Sequence, residues 1–405
     1  MAWFTLIKRF THQEVVKPSS GQHWDFLDGL RGLAILMVVA CHGFYANPNG
    51  PKALKVVGDF IGAGAIGVQM FFVLSGFLIA YPLLKAKSET SSSWYVAGYT
   101  IRRCLKIFPP FILCILLLCL VYRFEDGTFE RTWTGLLWLV GVPHLVYVPE
   151  APLFNGSFWS LWVEIGFYIV LPLCFFILRG LASVTASAFV IALTLFVASM
   201  LASFLTWPSE SRPSGFMLFI FGRFPNSLSN FSFGILFAGL FISWRKKRGG
   251  QTLTRLAPLG YIGLIFLFSS LLWQTWVIQQ GLISHWYTYA IKQLLVDVAT
   301  FLLMFFIFDS RTWGNRMFSW RWLKYLGVIS YEWFLLHQPF FDLSRKWSGG
   351  SDGSFIKYLF IILTPMILTL IAAILIYHFF SAPIIEWGRR RIAAKAGRKL
   401  QPSRN

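Results

Sequence analysis

The sequence predicts an all-α integral membrane protein: a bundle of about ten transmembrane helices, both termini cytoplasmic, with no soluble domain. Three observations carry that prediction. Of the 405 residues, 56% are hydrophobic and only 13% charged, where a soluble domain carries about 25% charged residues. Ten apolar runs approach the length of about 17–25 residues that a membrane helix needs. Lys and Arg gather between alternate runs, as topology signals do.

The elements follow in order. Residues 1–24 contain no long apolar region ahead of a small-residue cleavage site, so they read as a cytoplasmic segment and not as a cleaved signal. The first run, 28–46, then serves as an uncleaved anchor. The others are 61–84, 105–122, 158–178, 181–206, 226–243, 256–275, 291–308, 325–341 and 358–380. The stretch 133–148 is apolar but short, with Gly141 and Pro143 in its middle. It reads as a re-entrant or surface-lying piece of an outside loop, 123–157. With the N-terminus inside, 25 of the 36 Lys and Arg residues fall on inside segments, which places both termini in the cytoplasm. The segment SETSSSW, 88–94, is a short linker. Beyond the membrane part, 25–387, a basic cytoplasmic tail at 388–405 reads as a topology signal or as a segment that meets anionic lipid.

Charge and cysteine content exclude some functions. The net charge of +19 lies in short clusters between apolar runs, which is membrane topology and not a nucleic-acid footprint. Cys41, Cys104, Cys114, Cys119 and Cys174 lie in or beside the spans with no C-x-x-C pair. They read as small buried hydrophobes, and neither a disulfide framework nor a metal site is expected. Gly62, Gly64 and Gly67 spell G-x-G-x-x-G, but a membrane span follows at once where a dinucleotide fold needs a βαβ unit. Packing at a helix mouth is the better reading.

Chemistry concentrates in five places. Arg31 and His42 lie in the first span, eleven residues apart, which is close to three turns and about 16 Å of rise on nearly one face. A charged side chain such as Arg31 costs about 2.5–3.5 kcal/mol at membrane depth on insertion scales, so the pair on one face reads as functional ahead of a snorkelling arginine and a satisfied core histidine. A neutral imidazole there can take a proton from a hydroxyl. Ser75-Gly76 sits mid-span and lets another backbone approach. Arg102, Arg103 and Lys106 precede Pro109-Pro110 on the inside, either as ordinary positive-inside charge or as a compact anion site. Glu164 lies within an aromatic span and needs a cationic partner. Tyr331, Glu332 and His337 share a late span. Tyr331 and His337 are six apart and so not on one face, and His337 would hold a substrate hydroxyl or a neighbouring helix.

Five of these segments, in order, resemble the membrane acyltransferase-3 family. They are Arg31-x10-His42 in LDGLRGLA…H, the FFVLSGFLI run, RRxxK-I-x-P, WSLWVEIGFYIVLP and ISYxxFLLHxP. The likeness runs from residue 27 to about 387. It implies a ten-helix bacterial inner-membrane enzyme that moves acetyl or short acyl groups from cytoplasmic acyl-CoA to hydroxyls of surface polysaccharides or other glycosides. By this resemblance His42 would be catalytic, as base or acyl relay, with Arg31 and Glu164 beside it. Arg102, Arg103 and Lys106, with Ser75 and Gly76, would engage acetyl-CoA. Tyr331 and His337 would bind the acceptor. Membrane lipids and polysaccharide-pathway proteins would be its partners. The chain departs from the pattern at Ile165 and Gly166, which replace a second acid and a glutamine. It departs again at Lys106, a position more often arginine, and at Ser381-Ala382-Pro383, where the family reads E-x-P.

Two other functions fit an intramembrane Arg, His and Glu. A proton- or substrate-coupled transporter or flippase would show internal repeats and paired broken helices, and no repeat is visible. A non-enzymatic scaffold of an export complex would tolerate changes at Arg31 and His42.

Overall fold

A computed structural model describes residues 24–45, 54–88, 94–126, 136–137, 155–177, 183–205, 224–248, 251–282, 286–349 and 354–400. All regular structure among them is helical. The helices are α1 (Asp25–Tyr45), α2 (Lys55–Gly62), α3 (Gly67–Ser88), α4 (Trp94–Asp126), α5 (Phe158–Ile177) and α6 (Val184–Leu205). They continue as α7 (Leu228–Arg248), α8 (Gln251–Leu256), α9 (Leu259–Gln279) and α10 (Trp286–Phe308). The last are α11 (Trp313–Phe318), α12 (Arg321–Val328), α13 (Ser330–Trp347), α14 (Phe355–Ile376) and α15 (Ala382–Leu400). The segments 1–23, 89–93 and, apart from 136–137, 133–148 fall outside the described residues.

Nine helical stretches among the described residues are long and apolar enough to cross a membrane. They match nine of the ten expected runs. The tenth, 325–341, takes a different form. The chain breaks at Ile329, between the short helix α12 and α13. Helix α13 carries Glu332, His337, Asp342, Arg345 and Lys346, so it is less apolar than the rest, yet Trp333, Leu335, Leu336 and Phe341 bury it in the bundle. At the other end of the membrane part, α14 runs through a π-turn at Tyr377–Ser381 directly into α15, so the basic tail begins within helix.

The outer faces are apolar. Leu116 and Leu120 of α4, Leu193, Val197 and Leu201 of α6, and Ile265 and Phe268 of α9 are exposed. With every backbone bond closed inside a helix, such faces suit lipid. The interior is aromatic: Phe77, Phe231, Phe237 and Phe167 are completely buried, with Phe167 stacked on Phe231 at 3.9 Å.

Small residues set how closely the helices cross. A Cβ on Gly29 or Gly32 of α1 would fall 1.7 Å from Phe318 O or 2.0 Å from Leu323 O, and one on Gly327 would fall 1.7 Å from Asp28 O. So α1 lies backbone to backbone against α11 and α12, which only glycine permits. Gly64 and Gly67 meet Met37 O and Ala34 O in the same way. The G-x-G-x-x-G spacing is therefore packing, and it seats the start of α3 beside α1. Gly76 and Gly234 interlock α3 with α7, at 2.3 Å from Phe231 O and 2.1 Å from Val73 O.

Candidate functional site

Helix α1 begins with Asp25 and Asp28 in its first turn, the end at which the helix dipole favours acids, and carries His42 in its last. Arg31 and His42 both turn into the bundle. His42 Nδ1 lies 2.9 Å from Val38 O and 3.1 Å from Nε2 of His337 on α13. The two rings stand 4.8 Å apart, edge to face. His337 exposes nothing to solvent, and its Nδ1 lies 2.7 Å from Phe334 O.

These contacts assign the protons. A carbonyl oxygen only accepts, so His337 Nδ1 carries hydrogen and donates to Phe334 O. In the neutral ring His337 Nε2 is then a lone pair. It faces His42 Nδ1, which must supply the hydrogen and shares it between His337 Nε2 and Val38 O. The lone pair of His42 is left on Nε2. Among the described residues Nε2 receives no hydrogen bond, and His42 is only half-buried. The pair thus presents one basic nitrogen, with its tautomer fixed from behind.

About three turns along α1, a second group forms around Lys106. Arg31, Arg103, Asp28 and Glu332 are within its electrostatic reach. The Arg31 guanidinium lies 5.8 Å over the Phe71 ring, and its Nε is buried with no hydrogen-bond partner. Arg103 donates to Leu78 O at 3.1 Å and lies over Tyr168 at 5.7 Å. Glu332 is buried, and its Oε2 likewise receives no hydrogen bond. Three cations thus face two carboxylates, with buried donor capacity unused. Such a group can hold an anion.

The remaining sequence candidates divide. Glu164 Oε1 accepts from Ser75 at 2.9 Å and from Tyr168 at 2.6 Å. Glu164 therefore joins the Arg103 side of the site, and its hydrogen bonds are not to His42. Gly76 is occupied in packing against Phe231. Arg102 is exposed, unlike Arg103 and Lys106. Tyr331 donates to Ile107 O at 2.9 Å and pins α13 to α4. His337 stands behind His42. Glu332, noted in the sequence only as a neighbour in its span, emerges as the buried acid of the cationic group. Its partners lie on α1 and α4, far away in sequence. Among the described residues no group of His, Cys, Asp and Glu is placed to hold a metal ion.

A polytopic helical membrane protein with a buried histidine pair and an internal cationic group is the class these features define. The family model described as "Acyltransferase domain", Acyl_transf_3, matches residues 24–378, and the chain belongs to that family. It is similar to the putative peptidoglycan O-acetyltransferase YrhL of Bacillus subtilis (26% identical, covering 91% of this chain and 56% of the relative). It is similar also to the putative O-acetyltransferase SACOL0978 of Staphylococcus aureus (24%, covering 89% and 57%). A shorter match, 32% identical over 38% of this chain and 39% of the relative, is to the acyltransferase MdmB of Streptomyces mycarofaciens. The match thus spans little more than half the length of YrhL and SACOL0978 and about two fifths of MdmB. No solved structure matches it significantly.

Proposed function

We propose that this protein is an O-acyltransferase of the bacterial inner membrane. It moves an acetyl or short acyl group from cytoplasmic acyl-CoA to a hydroxyl of a cell-surface polysaccharide or other glycoside. One observation carries the reading: a basic imidazole nitrogen, free on one side and fixed on the other, faces the bundle interior along the same helix as an internal cationic group. Family membership supports the same class of reaction, and the positive-inside bias supports cytoplasmic termini.

Acyl-CoA is polyanionic at one end and carries its thioester on a long thin arm. Arg31, Arg103 and Lys106 would hold the phosphates, and the arm would extend toward His42. His42 Nε2 takes the proton of the acceptor hydroxyl as its oxygen attacks the thioester carbonyl. The tetrahedral intermediate then expels the thiolate, which regains the proton from His42 and leaves as CoA thiol. His337 accepts from Nδ1–H throughout and stabilises the imidazolium that forms.

The test is release of free CoA thiol from acetyl-CoA by the purified protein, with and without polysaccharide extract from the source cells. Release that needs both the extract and His42 is expected. Release unchanged in His42→Ala, or absent although the protein is folded, would refute the reading.

A further inference from the structure

A second polar group lies apart from the histidine pair. It gathers Gln69 of α3, Asn226 and Asn230 at the start of the α7 region, and Gln293 and Asp297 of α10. All five are buried, and Asn230, Gln293 and Asp297 expose nothing. An ionisable side chain inside a membrane bundle is by default a functional site.

The hydrogen bonds fix the direction of most of these groups. Gln293 Nε2 faces three acceptors: Asn226 O at 2.7 Å, Asn230 Oδ1 at 2.9 Å and Ser229 Oγ at 3.2 Å. Its Oε1 therefore accepts from Gln69 Nε2, at 2.7 Å, which leaves Gln69 Oε1 facing elsewhere. Asn230 donates one amide hydrogen to Asp297 Oδ1, at 2.5 Å, and the Ser229 hydroxyl is a second partner of the same carboxylate. Three oxygens of the network stand apart from these bonds. Gln69 Oε1, Asn226 Oδ1 and Asp297 Oδ2 are all buried, and none receives a hydrogen bond. Lys292, close by in sequence, turns instead to the Tyr289 ring at 4.6 Å and toward Cys41.

Of the three orphaned oxygens one belongs to a buried carboxylate, Asp297, whose hydrogen-bond partners are neutral and which has no cation beside it among the described residues. A proton on Asp297 would satisfy Oδ2 and a single acceptor, leaving the third oxygen bare. A water molecule would satisfy oxygens but neutralise nothing. A small hard cation does both, and one carboxylate among neutral amides matches a single charge. The helix is also interrupted at Ser227, between Phe224–Asn226 and α7, where Asn226 O accepts from Gln293 Nε2 and Ser199 Oγ and leaves the Asn226 side-chain oxygen to face the group. We propose that Asp297, with Gln69 and Asn226, holds a bound sodium ion that ties α3, α7 and α10 together.

The test uses the purified full-length chain in detergent. Equilibrium binding of ²²Na⁺ should give one ion per protein, displaced by unlabelled Na⁺ and not by K⁺. The thermal midpoint should rise saturably with NaCl by several degrees over KCl or choline chloride at equal ionic strength. Asp297→Asn should abolish both effects. Gln69→Leu, which keeps the carboxylate and guards against a folding failure, should weaken Na⁺ binding at least tenfold. No bound ²²Na⁺ in the wild type, or equal midpoints in all three salts, would overturn the proposal. A midpoint that follows pH and ignores Na⁺ would assign Asp297 to a proton instead, and K⁺ acting as well as Na⁺ would overturn the choice of ion.

Discussion

His337 is expected to act through His42 and not on substrate, and replacing it gives a graded loss. In His337→Phe the ring volume stays but the acceptor facing His42 Nδ1, 3.1 Å away, is gone. During transfer that acceptor bonds an imidazolium. A hydrogen bond to a charged group contributes about 1.5–3 kcal/mol. Val38 O, at 2.9 Å, remains and keeps part of that stabilisation, so the lower end applies. About 1.5–2 kcal/mol corresponds to a loss of roughly 10–30-fold in kcat. The KM for acetyl-CoA should barely move, because the cationic group is untouched. His337→Gln, whose amide oxygen can accept, should recover part of the rate. The assay is steady-state CoA thiol release with saturating acceptor. Wild-type activity in His337→Phe would remove His337 from the mechanism. A loss as deep as that of His42→Ala would make His337 the base itself.

Other outcomes follow from the same geometry. Lys106→Gln should raise the KM for acetyl-CoA by on the order of tenfold or more, as the loss of one charge-assisted contact implies, whereas Arg102→Gln, on an exposed position, should stay near wild type; a donor titration separates them. Arg31→Lys keeps the charge but deletes the buried Nε donor, so its donor affinity should fall between those of wild type and Arg31→Gln in the same titration. Gly327→Ala would put a methyl group 1.7 Å from Asp28 O; overpacking of this kind costs about 1–3 kcal/mol or more, and the variant should lose thermal stability and monodisperse elution relative to wild type.

The sequence showed most of the helices and part of the site, for a physical reason. A run of apolar residues states its own length, so nine spans were legible one at a time. The spacing of Arg31 and His42 was legible because both lie on one helix. The sequence leaves His337 open between a substrate hydroxyl and a neighbouring helix because its partner, His42, is 295 residues away, and no periodicity within α13 reveals which helix it meets. The partners of Glu332, on α1 and α4, are hidden for the same reason. The break at Ile329 was hidden because Gly327 looks like any apolar-run glycine until Asp28 O is seen against it. The network of Gln69, Asn226, Asn230, Gln293 and Asp297 was invisible, being built from single polar residues scattered through three apolar runs.

The most direct measurement is label transfer across a sealed membrane. Proteoliposomes of one orientation would receive [¹⁴C]acetyl-CoA on the side of the basic segments and the polysaccharide acceptor on the other. Alkali-labile label on the acceptor, abolished by His42→Ala, is the expected result. Label that reaches the acceptor equally with His42→Ala, or that appears only when donor and acceptor share a side, would contradict transfer through the bundle at His42.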